Sequence, residues 1–312
     1  MKVVVQNYTF IQVFKLTKTK VFHQKGVLLT VYYFCMMSNK KYLLDFYINS
    51  SIHVALAVCA MLLITLNHFH LETDWNFMFF VFFATITAYN FVKYFGIAKF
   101  HHRRLAKWLK VIQVFSFLCF VGLAIFTLRL PWITISYLIF FGIITFFYAI
   151  PFLPKRFFLD SQHNLRSIGG LKVYIIAFVW SGVTVFLPLL NEQYPITFDV
   201  YVEGFQRFLI VIALMLPFEI RDLQYDSIKL STIPQQIGIK RTKMLGGTLL
   251  VIFFLSEFFK DEISTKAVVE SLVVSVVLFL FIIFSRKEQG EYYSSFWVES
   301  IPVFWAILLL FF

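Results

Sequence analysis

Long apolar runs separated by short charged segments form the main pattern along this chain of 312 residues. Runs of about 20 apolar residues predict helices that cross a bilayer, and shorter runs can do so with help from their flanks. On this criterion the pattern predicts nine transmembrane helices joined by short connections. The predicted spans are residues 48–66, 77–98, 108–128, 132–150, 173–190, 205–220, 248–259, 267–284 and 296–312.

Composition agrees with this prediction, because 60% of the residues are hydrophobic and only 14% are charged. A soluble domain of this size cannot hide that much apolar surface in one core. We therefore expect an all-α integral membrane protein with a single polytopic domain over residues 41–312. The preceding residues, 1–40, form a basic tail without the features of a removable signal peptide. Met36 and Met37 precede a typical cytoplasmic lead-in, so we expect translation to begin there.

The basic residues predict the orientation, because Lys and Arg concentrate on cytoplasmic loops. Most of them follow the second, fourth, sixth and eighth predicted spans, which places these loops in the cytoplasm, at the inner membrane if the protein is bacterial. The net charge of +11 therefore favours contact with anionic membrane lipid or a diphosphate, and not with nucleic acid. The loop residues are Lys99, Arg103, Arg104, Lys107 and Lys110; Lys155, Arg156, Arg166 and Lys172; Arg221, Lys229, Lys240, Arg241 and Lys243; and Arg286 and Lys287.

Three carboxylates with helical spacing stand at the end of the sixth predicted span. Glu219, Asp222 and Asp226 are spaced i, i+3, i+7, and at about 100° per residue they share one stripe of a helix. Carboxylates this close stay ionised only around a cation, and their hard oxygens suit Mg²⁺. Lys229 continues the stripe. A solvated helix end has the same spacing, and spacing alone leaves that alternative open.

The segment that begins with these acids resembles the second aspartate motif of the UbiA superfamily of intramembrane prenyltransferases. In that family D-x-x-D-x-x-x-D is followed by Thr-x-Pro and then by Leu/Ile-Gly. Here Glu219 replaces the first Asp, while Thr232, Pro234 and Gly238 match in order. The resemblance implies a nine-helix bundle around a central cavity. It also implies Mg²⁺-dependent transfer of a prenyl group from a prenyl diphosphate to a lipophilic acceptor.

The family's first aspartate motif, N-D-x-x-D-x-x-x-D, is degraded in this chain. Asn90 occupies the Asn position, but Phe91, Tyr94 and Ala98 occupy the three acidic positions. Lys93 lies one helical turn from Asn90, and its fixed positive charge could replace the missing metal at the leaving diphosphate. A lysine that extends toward the membrane edge is the alternative explanation.

A third segment, Tyr148 to Arg156, resembles the family's Tyr-x-x-Pro sequence followed by basic residues. The resemblance implies that Lys155 and Arg156, with Lys229, bind the diphosphate, while Tyr148 helps to close the pocket. Paired cations suit phosphate oxygens, although the positive-inside rule alone would also place them here. The implied catalytic residues are Asp222, Asp226 and Lys93; the implied metal ligands are Glu219, Asp222 and Asp226; and Asn90, Tyr148, Lys155, Arg156 and Lys229 complete the binding set.

Two other functions stay open at this stage. A homologue that has lost turnover could bind a prenyl lipid or a partner protein, and the degraded first motif favours it. A transporter would show broken helices with polar residues at mid-membrane, and apart from Pro188 and Pro217 the spans show little of that. Asn49 and His53 on the first span fit an acceptor pocket or a polar helix contact. Beyond Gly238 the last three spans look like apolar packing helices.

Overall fold

The computed structural model describes residues 41–100, 107–149, 170–225 and 232–311. Every regular element in these ranges is helical. In chain order the helices are α1 (Lys41–Asn49), α2 (Ile52–His68), α3 (Trp75–Phe100), α4 (Lys107–Thr127), α5 (Trp132–Ala149), α6 (Leu171–Asn191), α7 (Phe198–Asp222), α8 (Ile233–Ser256), α9 (Thr265–Phe284) and α10 (Ile301–Leu308). A π-helical stretch, Gly182–Phe186, lies within α6, and a second one, Tyr293–Val298, precedes α10.

Each predicted span overlaps one of these helices, but the predicted count of nine transmembrane helices is not confirmed. Six described helices are long and apolar enough to cross a membrane, or seven if the bent pair α1 and α2 forms one span. The apolar part of α5, Trp132–Phe147, falls short of that length, and α10 has only 8 residues. The described ranges therefore establish an all-helical protein with several membrane-length helices.

Two helices begin well before the apolar pattern predicts, α7 at Phe198 and α8 at Ile233. The early start of α8 follows from its polar residues. Thr232 and Gln235 form a capping box in which the Thr232 backbone N–H donates to Gln235 Oε1 over 3.0 Å, and Pro234 occupies the first turn. Gly238 then bends the helix with a φ of 79°, a left-handed value that favours glycine. The Thr-x-Pro and Gly positions of the motif thus begin and kink α8.

Helix α7 is the most buried of the membrane-length helices. In its most apolar stretch 78% is buried, whereas the corresponding share in α4 is 17%. Its apolar face contributes Ile210, Ala213 and Leu216 to the main core, where they join Phe253 of α8 and Val274 of α9. This buried helix carries buried acidic side chains near both of its ends, Glu203 near its beginning and Glu219 near its end.

Two grooves indent the described surface. One, of about 450 Å³, lies between α7 and the end of α8 and is lined by apolar side chains such as Phe205 and Ile252. The other, of about 620 Å³, runs along α5 and α6 past Phe140 and Gly182. Neither groove is lined by a predicted site residue.

Candidate functional site

The beginning of α6 and the end of α7 meet where the carboxylate stripe begins. Lys172, the second residue of α6, lies with its Nζ 2.8 Å from Glu219 Oε1 and 3.9 Å from Asp222 Oδ2. Gly170 begins the helix with a φ of 71°, which a side chain rarely adopts, and so fixes Lys172 within the first turn. The two described carboxylates of the stripe therefore share one ammonium group.

Burial explains why Glu219 needs this partner. Its side chain is 1% exposed, and a carboxylate buried without compensation costs several kcal/mol. Asp222 is more open, with 22% of its side chain exposed. Arg221 donates to Asp222 Oδ1 from Nε over 2.9 Å and lies at 2.8 Å through Nη2, while its guanidinium covers the Phe218 ring at 5.3 Å. Two cations of the chain thus neutralise two carboxylates.

The remnant of the first motif is held by a polar network between helices. Asn90 donates from Nδ2 to the Ser50 carbonyl over 3.0 Å and to Ser116 Oγ over 2.7 Å. Ser51 donates to Asn90 Oδ1 over 2.8 Å, and Lys93 Nζ donates to the same Ser51 hydroxyl over 2.9 Å. Asn90 is 3% exposed, so its amide cross-links α2, α3 and α4 and positions Lys93 through Ser51.

Aromatic side chains occupy two of the three positions on α3 at which the family motif has acids. Phe91 is exposed, and the Tyr94 hydroxyl donates to the Asn49 carbonyl over 2.8 Å. Neither can hold a cation through a carboxylate oxygen. His53, which sequence analysis placed in an acceptor pocket or a helix contact, stacks on Phe296 at 4.9 Å and contacts the Phe296 carbonyl through Nε2 at 2.9 Å. In the described part of the chain His53 therefore makes a helix contact.

Glu299 is a site residue that sequence analysis missed. It lies in the turn before α10, partly buried, and interacts electrostatically with both Lys93 and Arg221. A single acid inside an otherwise apolar predicted span is the signal that could have identified it. Glu299 connects the first-motif remnant to the second motif, so that charges of alternating sign run through Lys93, Glu299, Arg221, Asp222, Lys172 and Glu219.

Several predicted site residues lie outside the described ranges. These are Asp226, Lys229, Lys155 and Arg156, and for Tyr148 only the backbone, within α5, is described. Among the described residues no group of three His, Cys, Asp or Glu side chains could hold a metal ion. The oxygens of Glu219 and Asp222 are of the hard type that Mg²⁺ prefers, so this pair fits as part of a metal site to which Asp226 would add the third carboxylate.

A second buried cluster surrounds the first half of α7, toward its other end. Arg207 is completely buried; it donates to the Met61 carbonyl and to Glu203 Oε1, each over 2.8 Å, and lies over the Trp305 ring at 5.3 Å. Lys260 donates to Glu203 Oε2 over 2.8 Å. The cluster ties α2 and α7 together through charged hydrogen bonds, and it contacts α10 through the cation–π interaction of Arg207 with Trp305.

The remaining members of this cluster come from the end of α2, the connection between α8 and α9, and α9 itself. Lys260 also donates to Glu257 Oε2 over 2.9 Å, and His68 approaches Glu203 at 3.2 Å and Glu270 at 3.4 Å. Burial opposes the charged form of Lys260, but Glu203 and Glu257 outweigh it and raise the pKa of the ammonium above its ordinary value. Sequence analysis singled out neither Glu257 nor Glu270, which lie near the ends of otherwise apolar predicted spans.

Fold and site together define an integral membrane helical bundle whose acidic and basic motif residues meet at one end. A solved structure of a digeranylgeranylglyceryl phosphate synthase in membranes is similar to this chain, with a TM-score of 0.50 and 14% identity, covering 87% of this chain and 94% of that one. The fold of this chain is therefore similar to that of this synthase, as the resemblance to the UbiA superfamily predicts. No family model and no curated protein matches the sequence.

Proposed function

We propose that this protein is a membrane prenyltransferase that binds a prenyl diphosphate at the ends of α3, α6 and α7 and transfers the prenyl group to a lipophilic acceptor. The observation that supports this most directly is the meeting of Glu219 and Asp222 with Lys172 at one end of a bundle with a prenyltransferase fold. Lys93 interacts electrostatically with Glu299, which also interacts with Arg221 beside Asp222.

The residues of the chain have separate tasks in this proposal. Cations that face the diphosphate stabilise the negative charge that grows on it as the C–O bond breaks. Lys93 supplies one such charge, and Asn90 positions it through Ser51. The predicted diphosphate ligands Lys155, Arg156 and Lys229 and the pocket residue Tyr148 keep these roles as part of the proposal.

Glu219, Asp222 and Asp226 are the residues that would hold Mg²⁺. The ion, when bound, neutralises charge on the leaving diphosphate. With Phe91 and Tyr94 in place of acids, α3 offers no matching set of carboxylates at these two positions, so the proposed enzyme depends on a single metal cluster.

The apolar part of the substrate and the acceptor are expected to reach the site from the membrane. A long isoprenoid tail gains about 0.8 kcal/mol for each CH₂ group removed from water, so it partitions into lipid and needs no aqueous route. The acceptor should be lipophilic for the same reason. Apolar side chains, with 42 Phe among 312 residues, provide the surface that such chains contact.

A second candidate function is binding of a prenyl lipid without turnover. The pairing of charges favours it, because Glu219, Asp222, Lys172 and Arg221 already neutralise one another without a ligand. In such a protein the degraded first motif would have no catalytic task. Substitution of Asp222 would then lower stability without affecting the bound lipid.

One experiment separates these candidates. Purified protein in detergent is heated with and without farnesyl or geranylgeranyl diphosphate and Mg²⁺, and transfer of labelled prenyl groups to extracted membrane lipid is measured in parallel. The proposal expects Mg²⁺-dependent protection and transfer, both abolished by Asp222→Ala and by Asp226→Ala. Glu262→Ala, which removes an exposed carboxylate from the loop before α9, is the matched control.

The outcomes are distinct. Protection without any transfer would favour the lipid-binding homologue. Transfer that survives both Asp222→Ala and Asp226→Ala would contradict the proposed metal site, because the described residues offer no other set of carboxylates for Mg²⁺.

A further inference from the structure

We infer that Lys172 is a resident counter-ion of the acidic site, which a bound diphosphate draws away, so that Mg²⁺ binds Glu219 and Asp222 together with the diphosphate and only weakly without it. The inference rests on the proposed function and adds an order of binding to it. It follows from the position of the Lys172 ammonium, 2.8 Å from one carboxylate and 3.9 Å from the other.

The ammonium and a metal ion compete for the same oxygens. Two positive charges held this close near a protein surface repel each other, and a divalent ion raises that repulsion further. The Lys172 Nζ lies 2.8 Å from Glu219 Oε1, an oxygen that the proposed metal site requires. Mg²⁺ on its own must therefore displace Lys172 before it can bind both carboxylates.

Burial makes that displacement conditional. Glu219 is 1% exposed, so it cannot lose its cation to water without a large penalty in free energy. The Lys172 side chain, in contrast, is 21% exposed and carries its charge on a flexible four-carbon stem. Lys172 can therefore reorient without a change in the α6 backbone, provided that a second cation replaces it at Glu219 and an anion receives it.

A diphosphate meets both conditions when it arrives with Mg²⁺. Its anionic oxygens accept hydrogen bonds from the Lys172 ammonium, and the two carboxylates are then free to bind the metal in place of Lys172. Asp222 Oδ2 is the first available oxygen, because it lies at ion-pair distance from Lys172 but beyond hydrogen-bond distance. Because binding linkage is reciprocal, the diphosphate should strengthen Mg²⁺ binding by the same factor by which Mg²⁺ strengthens diphosphate binding.

Two substitutions of Lys172 test this order, with Lys110→Gln as a control that removes an exposed lysine from α4. Binding of Mg²⁺ alone, and of Mg²⁺ with inorganic pyrophosphate, is measured by calorimetry and by thermal unfolding in detergent at constant ionic strength. In the unsubstituted protein, Mg²⁺ alone should bind weakly and pyrophosphate should strengthen it. In Lys172→Gln, Mg²⁺ alone should bind about tenfold more tightly, a change of about 1.4 kcal/mol, and pyrophosphate should add less.

Lys172→Arg keeps the positive charge and protects Glu219, so it tests the inference even if Lys172→Gln does not fold. Its planar guanidinium binds carboxylates through two parallel hydrogen bonds and leaves them less readily. The affinity for Mg²⁺ with pyrophosphate should therefore fall about tenfold below that of the unsubstituted protein. An unchanged affinity in Lys172→Arg would overturn the inference.

Failure of the binding order and failure of the proposed diphosphate site give different results. If Mg²⁺ with pyrophosphate binds the unsubstituted protein but Lys172→Gln binds Mg²⁺ alone no better, the order of binding is wrong and the proposed function stands. If neither Mg²⁺ nor pyrophosphate binds the unsubstituted protein under any condition, the proposed diphosphate site is wrong and the inference fails with it.

Discussion

At the scale of single residues, the candidate site is a set of charges that have already found partners. Glu219 is neutralised by Lys172 from another helix, and Asp222 by the adjacent Arg221. Lys93 is held by Ser51 and faces Glu299. Such a site starts from a neutral resting state. A diphosphate that binds these described residues must therefore exchange partners with them.

Lys93→Ala should lower the rate of transfer more than it lowers substrate affinity. A fixed cation stabilises the leaving diphosphate most when its charge is greatest, which is in the transition state. We expect kcat to fall at least about tenfold, with a smaller change in KM, in steady-state assays of prenyl transfer. Lys110→Ala is the control, and an equal effect of Lys93→Ala on binding and on rate would contradict a role in the transition state.

At the scale of helices, small residues decide how closely α5 and α6 approach. Gly182 lies in the π-helical stretch of α6 against the ring of Phe141. A methyl group at this position would overlap that ring, whereas a methyl group on Gly142 of α5 would contact nothing within 4 Å. The helix that presents Lys172 therefore depends on a glycine ten residues further along for its packing.

Gly182→Ala should consequently destabilise the protein, and Gly142→Ala should not. Overpacking a close contact costs about 1 to 3 kcal/mol, because the neighbouring ring or the helix must move. Thermal unfolding in detergent compares the two variants directly, since each adds one methyl group to a helix. Equal unfolding temperatures for the two variants would show that α6 can shift to accommodate the methyl group. The contact between Gly182 and Phe141 would then not fix the position of α6.

At the scale of the whole molecule, α7 connects two charged clusters of different kinds. The cluster at its end is partly exposed and contains the predicted motif acids. The cluster in its first half is buried and joins Glu203 and Arg207 to Lys260. Breaking a buried ion pair by removing one partner leaves an uncompensated charge, which is strongly destabilising.

Arg207→Met should therefore lower the free energy of unfolding by about 3 to 5 kcal/mol. Arg129→Met, at an exposed position on the connection between α4 and α5, should have little effect. Glu203→Gln together with Arg207→Met removes both partners and should restore part of the loss, which thermal unfolding would detect. No recovery in the double variant would contradict a direct pairing of these two side chains.

The raised pKa of Lys260 gives the same cluster a dependence on alkaline pH. A lysine whose pKa is higher in the folded than in the unfolded protein contributes stability that is complete below its ordinary value of 10.5. That contribution is lost as the pH rises above 10.5 through the folded pKa. Unfolding temperatures of the protein and of Lys260→Met should therefore converge in this alkaline range, and a constant difference would contradict the assignment.

The orientation of the bundle is a further prediction at this scale. The basic loops predict that segments around Arg103, Arg156, Asp226 and Arg286 all face the cytoplasm. Single cysteines placed next to these residues, in a protein whose native cysteines are replaced by serine, should react with a membrane-impermeant reagent from the same side. Labelling of any two from opposite sides would refute the predicted topology.

Sequence alone predicted the features that depend on local geometry and composition. Apolar runs indicated helices at every predicted span, because a backbone in lipid must satisfy its own hydrogen bonds. The spacing of Glu219 and Asp222 placed both on one face, since residues three apart on a helix are neighbours whatever the rest of the chain does. The motif positions Thr232, Pro234 and Gly238 indicated the resemblance to the family. These residues also determine where α8 begins and where it bends.

The tertiary structure alone decided which cations and acids meet. Lys172 and Glu219 are 47 positions apart, and Lys93 and Glu299 more than 200 apart, so no local spacing predicts that these charges interact. The last helices seemed purely apolar because one acid among many Leu, Val and Phe residues changes a hydropathy average very little. Burial gives these charges their importance: an acid that water would solvate on an isolated helix needs a specific cation once neighbouring helices exclude the water, and packing determines which cation is in reach.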